Sequence, residues 1–304
     1  MAPTHPEDRQ NAGEKLAGTP EPMHVWEGTG GVHVAADSWG DAQGPVVVLL
    51  HGGGQTRHAW KAAGERLGNA GYRAIALDAR GHGDSDWSRD GRYGSDVMIA
   101  DLERVLQQLG VSAPVLVGAS MGGITSLIAA GEGRIAARAL VLVDIATEID
   151  VDGARRIGEF MSQRPEGYSS LQEVADAIAS YQPQRDRPRN LDGLAKNLRR
   201  DAAGRYRWHW DPAFLAAQAD VAQRRLRLEA SARALSVPTL LVRGGLSDVL
   251  TGAGVQRFLQ LCPHAEYVNV GNAGHMVAGD RNDVFADAVI AFLERQLPAR
   301  PARA

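Results

Sequence analysis

The segment VGASMGG at residues 117–123 places one serine hydroxyl between two glycines, directly after an apolar run. Glycine two residues before and two residues after Ser120 indicates a backbone bend that is too tight for side chains at those positions. The pattern of a buried strand precedes the serine and the pattern of a helix follows it, which is the context of a nucleophilic serine on a strained turn. Ser120 is therefore predicted to be a nucleophile. The alternative is a glycine-rich turn whose serine only caps the helix.

A serine nucleophile needs a base that takes its proton, and His275 is the best placed of the nine histidines. It follows the strand-like run at residues 265–270, in a loop near the C-terminus. His264 precedes the same run and would lie at the wrong end of the sheet. His275 is therefore predicted to be the base.

The base in turn needs a carboxylate that holds its tautomer, and two aspartates qualify. Asp248 stands four residues beyond a strand-like run that ends at Gly244. Asp144 is the last residue of the strand-like run 138–144. We predict Asp248 as the acid and keep Asp144 as the rival candidate.

An acyl-transfer site also needs donors for the oxyanion, and the segment His51-Gly52-Gly53-Gly54 leaves backbone N–H groups unobstructed after a buried strand. We predict the N–H of Gly53 as one donor, with Gly54 as the alternative. The second donor is the N–H of Met121, the residue after the nucleophile. The loop can also need its glycines for conformation, and both explanations can hold together.

Apolar runs of the length of buried strands position these residues, and helical patterns separate them. The runs are near-continuously hydrophobic, as in parallel strands covered on both faces, and occupy residues 45–50, 72–78, 113–118, 138–144 and 237–244. Residues 32–40 alternate between apolar and polar, as an antiparallel edge strand does. Residues 95–110 and 283–297 have helical spacing. The alternation predicts an α/β fold with a doubly wound, mostly parallel sheet.

One segment interrupts this alternation. Residues 147–235 contain helical patterns and no strand-like run, which predicts a helical cap inserted into a core of residues 23–146 and 236–304. Residues 1–22 are polar and proline-rich and are predicted to be a flexible arm. Within the cap, Trp208, His209 and Trp210 form an aromatic cluster that either contacts substrate or is the cap's own core.

Together these features resemble the α/β-hydrolase family, in its branch with a serine nucleophile and a helical cap. The matching motifs are HGGG at 51–54, DARGHGDS at 78–85, GASMGG at 118–123, GGLSD at 244–248 and GH at 274–275. The resemblance extends over about residues 23–297. It implies the chain order serine, aspartate, histidine, and some relatives place the acid where Asp144 stands.

The resemblance implies acyl transfer on a small ester-type substrate, as in a carboxylesterase or lactonase, with no cofactor and no metal. Relatives that have aspartate at the position of Ser120 hydrolyse epoxides or carbon–halogen bonds, and the serine argues against both reactions. Carbon–carbon bond hydrolysis and cofactor-free haloperoxidase or perhydrolase activity stay open as alternatives. A small-molecule receptor with residual hydrolysis is a further alternative from a different class of protein.

Composition excludes several other classes. The 304 residues carry a formal net charge of −3 and scattered basic residues, which argues against a nucleic-acid partner. The single cysteine, Cys262, cannot form a disulfide within the chain. The N-terminal residues lack the apolar core of a signal peptide, and no apolar run is long enough to span a membrane. We therefore expect a cytoplasmic protein with a small-molecule substrate and no membrane partner. The sequence leaves the oligomeric state open.

Overall fold

A mixed eight-stranded sheet organises the chain in the computed structural model, which describes residues 13–181, 191–216 and 221–297. In spatial order the sheet runs β11-β10-β7-β6-β4-β5-β3-β2, and all pairs from β11 to β5 are parallel. The strands of this sheet are β2 (His24–Glu27), β3 (His33–Trp39), β4 (Val46–Leu50), β5 (Arg73–Leu77), β6 (Val115–Ala119), β7 (Ala139–Val143), β10 (Thr239–Gly244) and β11 (Glu266–Val270).

Helices cover both faces of this sheet, because successive strand residues point to opposite sides. Val48 and Leu50 pack in one cluster with apolar residues of the helices at 95–109, 121–131, 221–234 and 252–261. Val47 and Leu49 pack against α1 and α10. The helices are α1 (Lys61–Asn69), α2 (Ser95–Leu109), α3 (Met121–Gly131), α4 (Val151–Ser162), α5 (Leu171–Tyr181), α6 (Pro212–Ala216), α7 (Val221–Ala234), α8 (Gly252–Leu261), α9 (Val277–Asp280) and α10 (Asn282–Gln296).

The predicted α/β fold class is confirmed, and each apolar run of the prediction lies on a strand of the sheet. One detail differs. The alternating segment 32–40 forms the antiparallel strand β3, but β2 covers its outer side, so β3 is not the edge. The helical pattern at 95–110 is confirmed as α2, with Gly94 at its N-cap position and Gly110 ending the helix in a left-handed conformation at φ 66°.

Between β7 and β10 the described chain contains strands as well as helices. The strands β8 (Leu198–Arg200) and β9 (Tyr206–Trp208) pair with each other, and β8 also pairs with β1 (Glu14–Lys15). The expectation of a purely helical cap is therefore wrong for this part, because a hairpin turn and pairing with β1 favour extended backbone there. β1 itself lies in the second half of the predicted arm. Residues 1–12 of the arm, and residues 182–190 and 217–220 of the predicted cap, lie outside the described residues.

The last helix before β10 belongs with the core by its packing. A methyl group on Gly131 of α3 would lie 2.4 Å from the carbonyl oxygen of Ser231 in α7, so the two helices cross in close contact. Leu228 and Ala232 of α7 are buried in the same cluster as Leu127 of α3. The part of the insertion that lies over the sheet edge therefore ends before α7.

No helix in the described parts of the chain combines the length and the apolar composition that crossing a bilayer requires.

Candidate active site

Ser120 lies at a sharp turn between β6 and α3, with φ 47° and ψ −113°, a conformation that non-glycine residues rarely adopt. The turn brings neighbouring backbone segments into contact. A Cβ atom on Gly118 would lie 2.3 Å from the carbonyl oxygen of Gly122, and one on Gly122 would lie 2.3 Å from that of Leu50. Both glycines are thus required by close approach, as predicted, and the turn presents the serine at the carboxyl edge of the sheet.

A carboxylate and an imidazole meet on the next strands of the same edge. Asp144 directly follows β7, which pairs with β6 in the register Ala119 to Val143. His275 donates from Nδ1 to the Oδ2 atom of Asp144 over 2.7 Å. This bond leaves Nε2 of His275 as the ring nitrogen that can accept a proton, and no described residue bonds to it. His275 therefore has the tautomer that a general base needs.

The Asp144 carboxylate is completely buried, and both of its oxygens accept hydrogen bonds. Oδ1 accepts the backbone N–H of Gly244 over 2.8 Å. Oδ2 accepts the Ser247 hydroxyl as well as His275. The backbone of Asp144 has φ 51°, a strained conformation for a non-glycine residue, of the kind that concentrates at functional sites.

The structure does not bring Asp248, the acid predicted from the sequence, to His275, which bonds to Asp144 instead. The Asp248 side chain is 55% exposed and accepts a hydrogen bond of 2.7 Å from Arg156 of α4. Arg243 holds the loop after β10 by donating to the carbonyl oxygens of Leu250, Gly245 and Ser247. In that loop conformation Ser247 faces Asp144, and Asp248, the next residue, faces α4.

The glycine loop, residues 52–54 after β4, lies against the turn at Ser120. A Cβ atom on Gly52 would be 3.3 Å from the Cβ of Ser120. The N–H of Gly52 donates to Oε1 of Gln55 over 3.1 Å, and the N–H of Gly122 donates to the His51 carbonyl over 3.1 Å. Neither the N–H of Gly53 nor that of Met121 donates to a described residue. The N–H groups of Gly53 and Met121 are thus available as donors, and so is that of Gly54, the alternative to Gly53.

Three side chains from the segment between β7 and β10 cover this glycine loop. A Cβ atom on Gly54 would lie 3.1 Å from Met161 and 3.4 Å from the Trp210 ring. One on Gly53 would lie 3.4 Å from the Phe214 ring. Trp208 stacks on Trp210 with ring centres 4.9 Å apart and is itself partly exposed. The structure therefore places the predicted residues Trp208 and Trp210, together with Phe214 and Met161, in an apolar roof above the loop.

His209 does not fit its predicted role in substrate binding. Its ring is buried, and both ring nitrogens are occupied by backbone groups of the core. The N–H of Gly83 donates to Nδ1 over 2.7 Å, and Nε2 donates to the Gly54 carbonyl over 3.3 Å. Burial, with a smaller contribution from His82, lowers the pKa of His209 well below its usual value. His209 thus connects the segment above the site to two loops of the core.

His51 and His82, which lie near the glycine loop, are buried, whereas His275 is partly exposed. Burial lowers the pKa of His82 to about 3, and it also lowers the pKa of His51. His51 accepts the N–H of Ala79 at Nε2 and donates from Nδ1 to the carbonyl of Gly52. These rings are neutral and held by backbone groups, whereas His275 is held by a carboxylate.

Comparisons with known proteins identify the family of the chain. Residues 45–281 match the family model for the alpha/beta hydrolase fold. An esterase of Mycobacterium tuberculosis is 30% identical over 86% of this chain and 86% of its own length. The sn-1-specific diacylglycerol lipase ABHD11 of Mus musculus is 31% identical over 84% of this chain and 82% of its own.

A solved structure shows the same architecture. The crystal structure of an alpha/beta hydrolase from Novosphingobium aromaticivorans superposes with a TM-score of 0.75 at 24% identity, over 90% of this chain and 98% of that one. The fold, the family model and the relatives over most of the chain's length lead to one assignment. The chain belongs to the α/β-hydrolase family.

Proposed function

We propose that this chain is a serine hydrolase that cleaves a small ester-type substrate, as a carboxylesterase or lactonase does, through an acyl-enzyme. One observation carries the proposal. The strained Ser120 and Asp144 directly follow two neighbouring strands, and the Asp144 carboxylate holds His275 in the tautomer of a general base. The names of the relatives, an esterase and a lipase, support the same reaction class.

The proposed reaction begins when Nε2 of His275 takes the proton of the Ser120 hydroxyl and the oxygen attacks the ester carbonyl. The N–H groups of Gly53 and Met121 then donate to the oxyanion of the tetrahedral intermediate, and the N-terminal end of α3 adds a favourable field. His275 returns the proton to the leaving alcohol as the intermediate collapses to the acyl-enzyme. Water, deprotonated by His275, hydrolyses the acyl-Ser120 ester and regenerates the site.

The roof above the glycine loop supports an apolar, compact acyl group. Met161, Trp210 and Phe214 present methyl and ring surfaces there, and they bring no charge to the space over Gly53 and Gly54. Apolar lining with a few directed polar groups is the usual composition of a small-molecule site. We therefore propose esters, lactones or thioesters with uncharged acyl groups as the substrate class.

The test is a panel of p-nitrophenyl esters of graded acyl length, with matched lactones and thioesters, followed by labelling with a fluorophosphonate. We expect turnover of the short and medium esters and a single label on the peptide that carries Ser120. Absence of turnover across the panel would contradict the proposal, and a label on another residue would contradict the assignment of the nucleophile.

Ser247→Ala should lower kcat for the best ester by about 10- to 100-fold. The hydroxyl of Ser247 donates to the same carboxylate oxygen that orients His275, and a hydrogen bond to a charged group contributes about 1.5–3 kcal/mol. Stopped-flow kinetics of the alanine variant and of Ser247→Thr, which keeps the hydroxyl, are the measurement. Equal kcat in wild type and the alanine variant would show that Asp144 needs no support from Ser247.

Trp210→Ala should change the relative kcat/KM values of esters that differ in acyl length. The change should be about 1–3 kcal/mol of activation free energy per affected contact. Because Trp210 contacts Gly54 and is buried, its removal opens the roof and leaves Ser120, His275 and Asp144 in place. The burst with a small activated acetate ester should therefore stay close to wild type. A uniform loss of turnover for all esters, measured below the melting temperature of the variant, would assign Trp210 a role in the fold alone.

A further inference from the structure

The proposed oxyanion loop depends on contacts from outside for its conformation. Gly52, Gly53 and Gly54 have no side chains, and consecutive glycines have the largest conformational freedom of any residues. Gly54 also lies in the left-handed region at φ 74°. The core restrains one end of the loop, because Gln55 accepts the N–H of Gly52 and His51 donates to the Gly52 carbonyl. The N–H of Gln55 also donates to the Gly52 carbonyl over 3.1 Å and closes a turn around Gly53 and Gly54. The Gly54 carbonyl takes no part in these bonds, so its restraint has to come from another contact.

His209 supplies that restraint from the segment above the site. Its Nε2–H donates to the Gly54 carbonyl over 3.3 Å, and its Nδ1 accepts the N–H of Gly83 over 2.7 Å. The Gly83 N–H can only donate, so Nδ1 has no proton and Nε2 must carry it. The ring is therefore locked in the tautomer that donates to the loop.

The neighbours of His209 fix the position of this ring. The N–H of Asp211 donates to the Gly81 carbonyl over 2.9 Å. The indole N–H of Trp87 donates to the carbonyl oxygen of His209 over 3.2 Å. Backbone groups next to the ring thus attach the segment His209–Asp211 to the core.

We propose that His209 is a positioning residue for the oxyanion hole: its Nε2–H, bonded to the Gly54 carbonyl, holds the glycine loop in the conformation that directs the Gly53 N–H toward the reacting carbonyl. The inference rests on the proposed function and extends it. It connects the segment between β7 and β10 to the chemical step, and not only to the choice of substrate. His209 itself touches neither the substrate nor the reacting atoms.

Two substitutions separate the two hydrogen bonds of the ring. In His209→Gln the side-chain amide nitrogen takes the place of Nε2 and can still donate to Gly54. In His209→Asn the shorter side chain reaches the Gly83 N–H but leaves the Gly54 carbonyl without its donor. Tyr93→Phe is the matched control, because it removes a bond between the same segment and the core without touching the glycine loop.

The readouts are kcat and KM for a short p-nitrophenyl ester and the inhibition constant of phenylboronic acid, whose tetrahedral adduct with a serine imitates the intermediate. We expect His209→Asn to lower kcat by about 10- to 100-fold. This loss should not exceed the loss of kcat that follows removal of one oxyanion donor. Boronate affinity should fall by a similar factor, with KM within about threefold of wild type. His209→Gln should recover most of the loss, and Tyr93→Phe should lower the melting temperature with kcat within about twofold.

Three results would overturn the inference. In the first, His209→Asn turns over as fast as Tyr93→Phe, and in the second, His209→Gln is as slow as His209→Asn. The third is independent of folding of the variants: ¹⁵N NMR of the unaltered chain finds the His209 proton on Nδ1, from which no donation to Gly54 is possible. Lack of ester turnover by the wild type would overturn the proposed function and this inference with it, whereas normal wild-type turnover with an unaffected asparagine variant overturns this inference alone.

Discussion

Ser120→Ala should lose about 10⁶-fold in kcat for ester hydrolysis, because removal of the nucleophile leaves only binding and the oxyanion donors to act on the substrate. The fold should be preserved. Alanine adds no atom to the crowded turn, and the strained backbone at φ 47° is set by the contacts of Gly118 and Gly122 and not by the serine hydroxyl. The variant should therefore keep the affinity of wild type for substrate while losing the burst of product.

The measurement pairs steady-state kinetics with thermal unfolding and fluorophosphonate labelling. Ser162→Ala is the control, because this serine lies exposed on α4 and its hydroxyl bonds only to carbonyls of its own helix. We expect the control to keep wild-type turnover and full labelling. Turnover by the Ser120 variant above about one thousandth of the wild-type rate, with the fold intact, would exclude Ser120 as the nucleophile.

Asp144→Asn should lower kcat by about 10⁴-fold near neutral pH. The carboxylate accepts three hydrogen bonds, from Gly244, Ser247 and His275, and a neutral amide cannot accept all of them while its nitrogen faces one of the donors. The histidine then loses the partner that fixes its tautomer and stabilises its protonated form during the reaction. Because asparagine is nearly isosteric, the effect on folding should be small compared with the effect on kcat.

Asp248→Asn is the matched control for that variant. Its carboxylate is largely exposed, and its bond to Arg156 is a surface ion pair, which contributes little to stability. We expect kcat within about threefold of wild type and an unchanged pH profile. The opposite ranking of the two variants in kcat, with Asp248→Asn the more damaging, would move the acid to Asp248 and contradict the geometry at His275.

The sheet and the serine could be predicted from sequence because each has a local signal. Runs such as Val46–Leu50 are apolar on both faces, and that composition is typical of a parallel strand covered by helices on both sides. Gly118 and Gly122 are visible in the sequence, and each is needed because backbone atoms approach closely at its position. His275 follows from its place after the last strand.

The aspartate that bonds to His275 could not be predicted in the same way, because Asp144 and Asp248 both follow strands that end at the same edge. The difference lies in the conformation of the loop after β10, which Arg243 determines by bonding three of its carbonyls. Long-range contacts of this kind leave no periodic pattern in the sequence. The one available signal was that Asp144 directly follows its strand, whereas Asp248 stands four residues beyond its own.

The role of His209 was likewise hidden from sequence. A histidine between two tryptophans has the composition of a ligand-binding cluster, and only the structure shows both of its nitrogens bonded to Gly83 and Gly54. The short strands β8 and β9 were missed for a related reason. β8 pairs with β1, a partner almost two hundred residues away, and β9 pairs with β8, so the conformation of the hairpin depends on a contact that no local pattern reports.

Acid-quenched mass spectrometry during turnover of a p-nitrophenyl ester tests the central claim most directly, since that claim is a covalent acyl group on Ser120. Wild type and Asp144→Asn are mixed with the ester, quenched within the burst phase and digested. We predict that the wild-type peptide containing Ser120 gains the mass of one acyl group on that residue, and that the same adduct accumulates far more slowly in Asp144→Asn. Full wild-type turnover with Ser120 unmodified, or an acyl group on a different residue, would contradict the account.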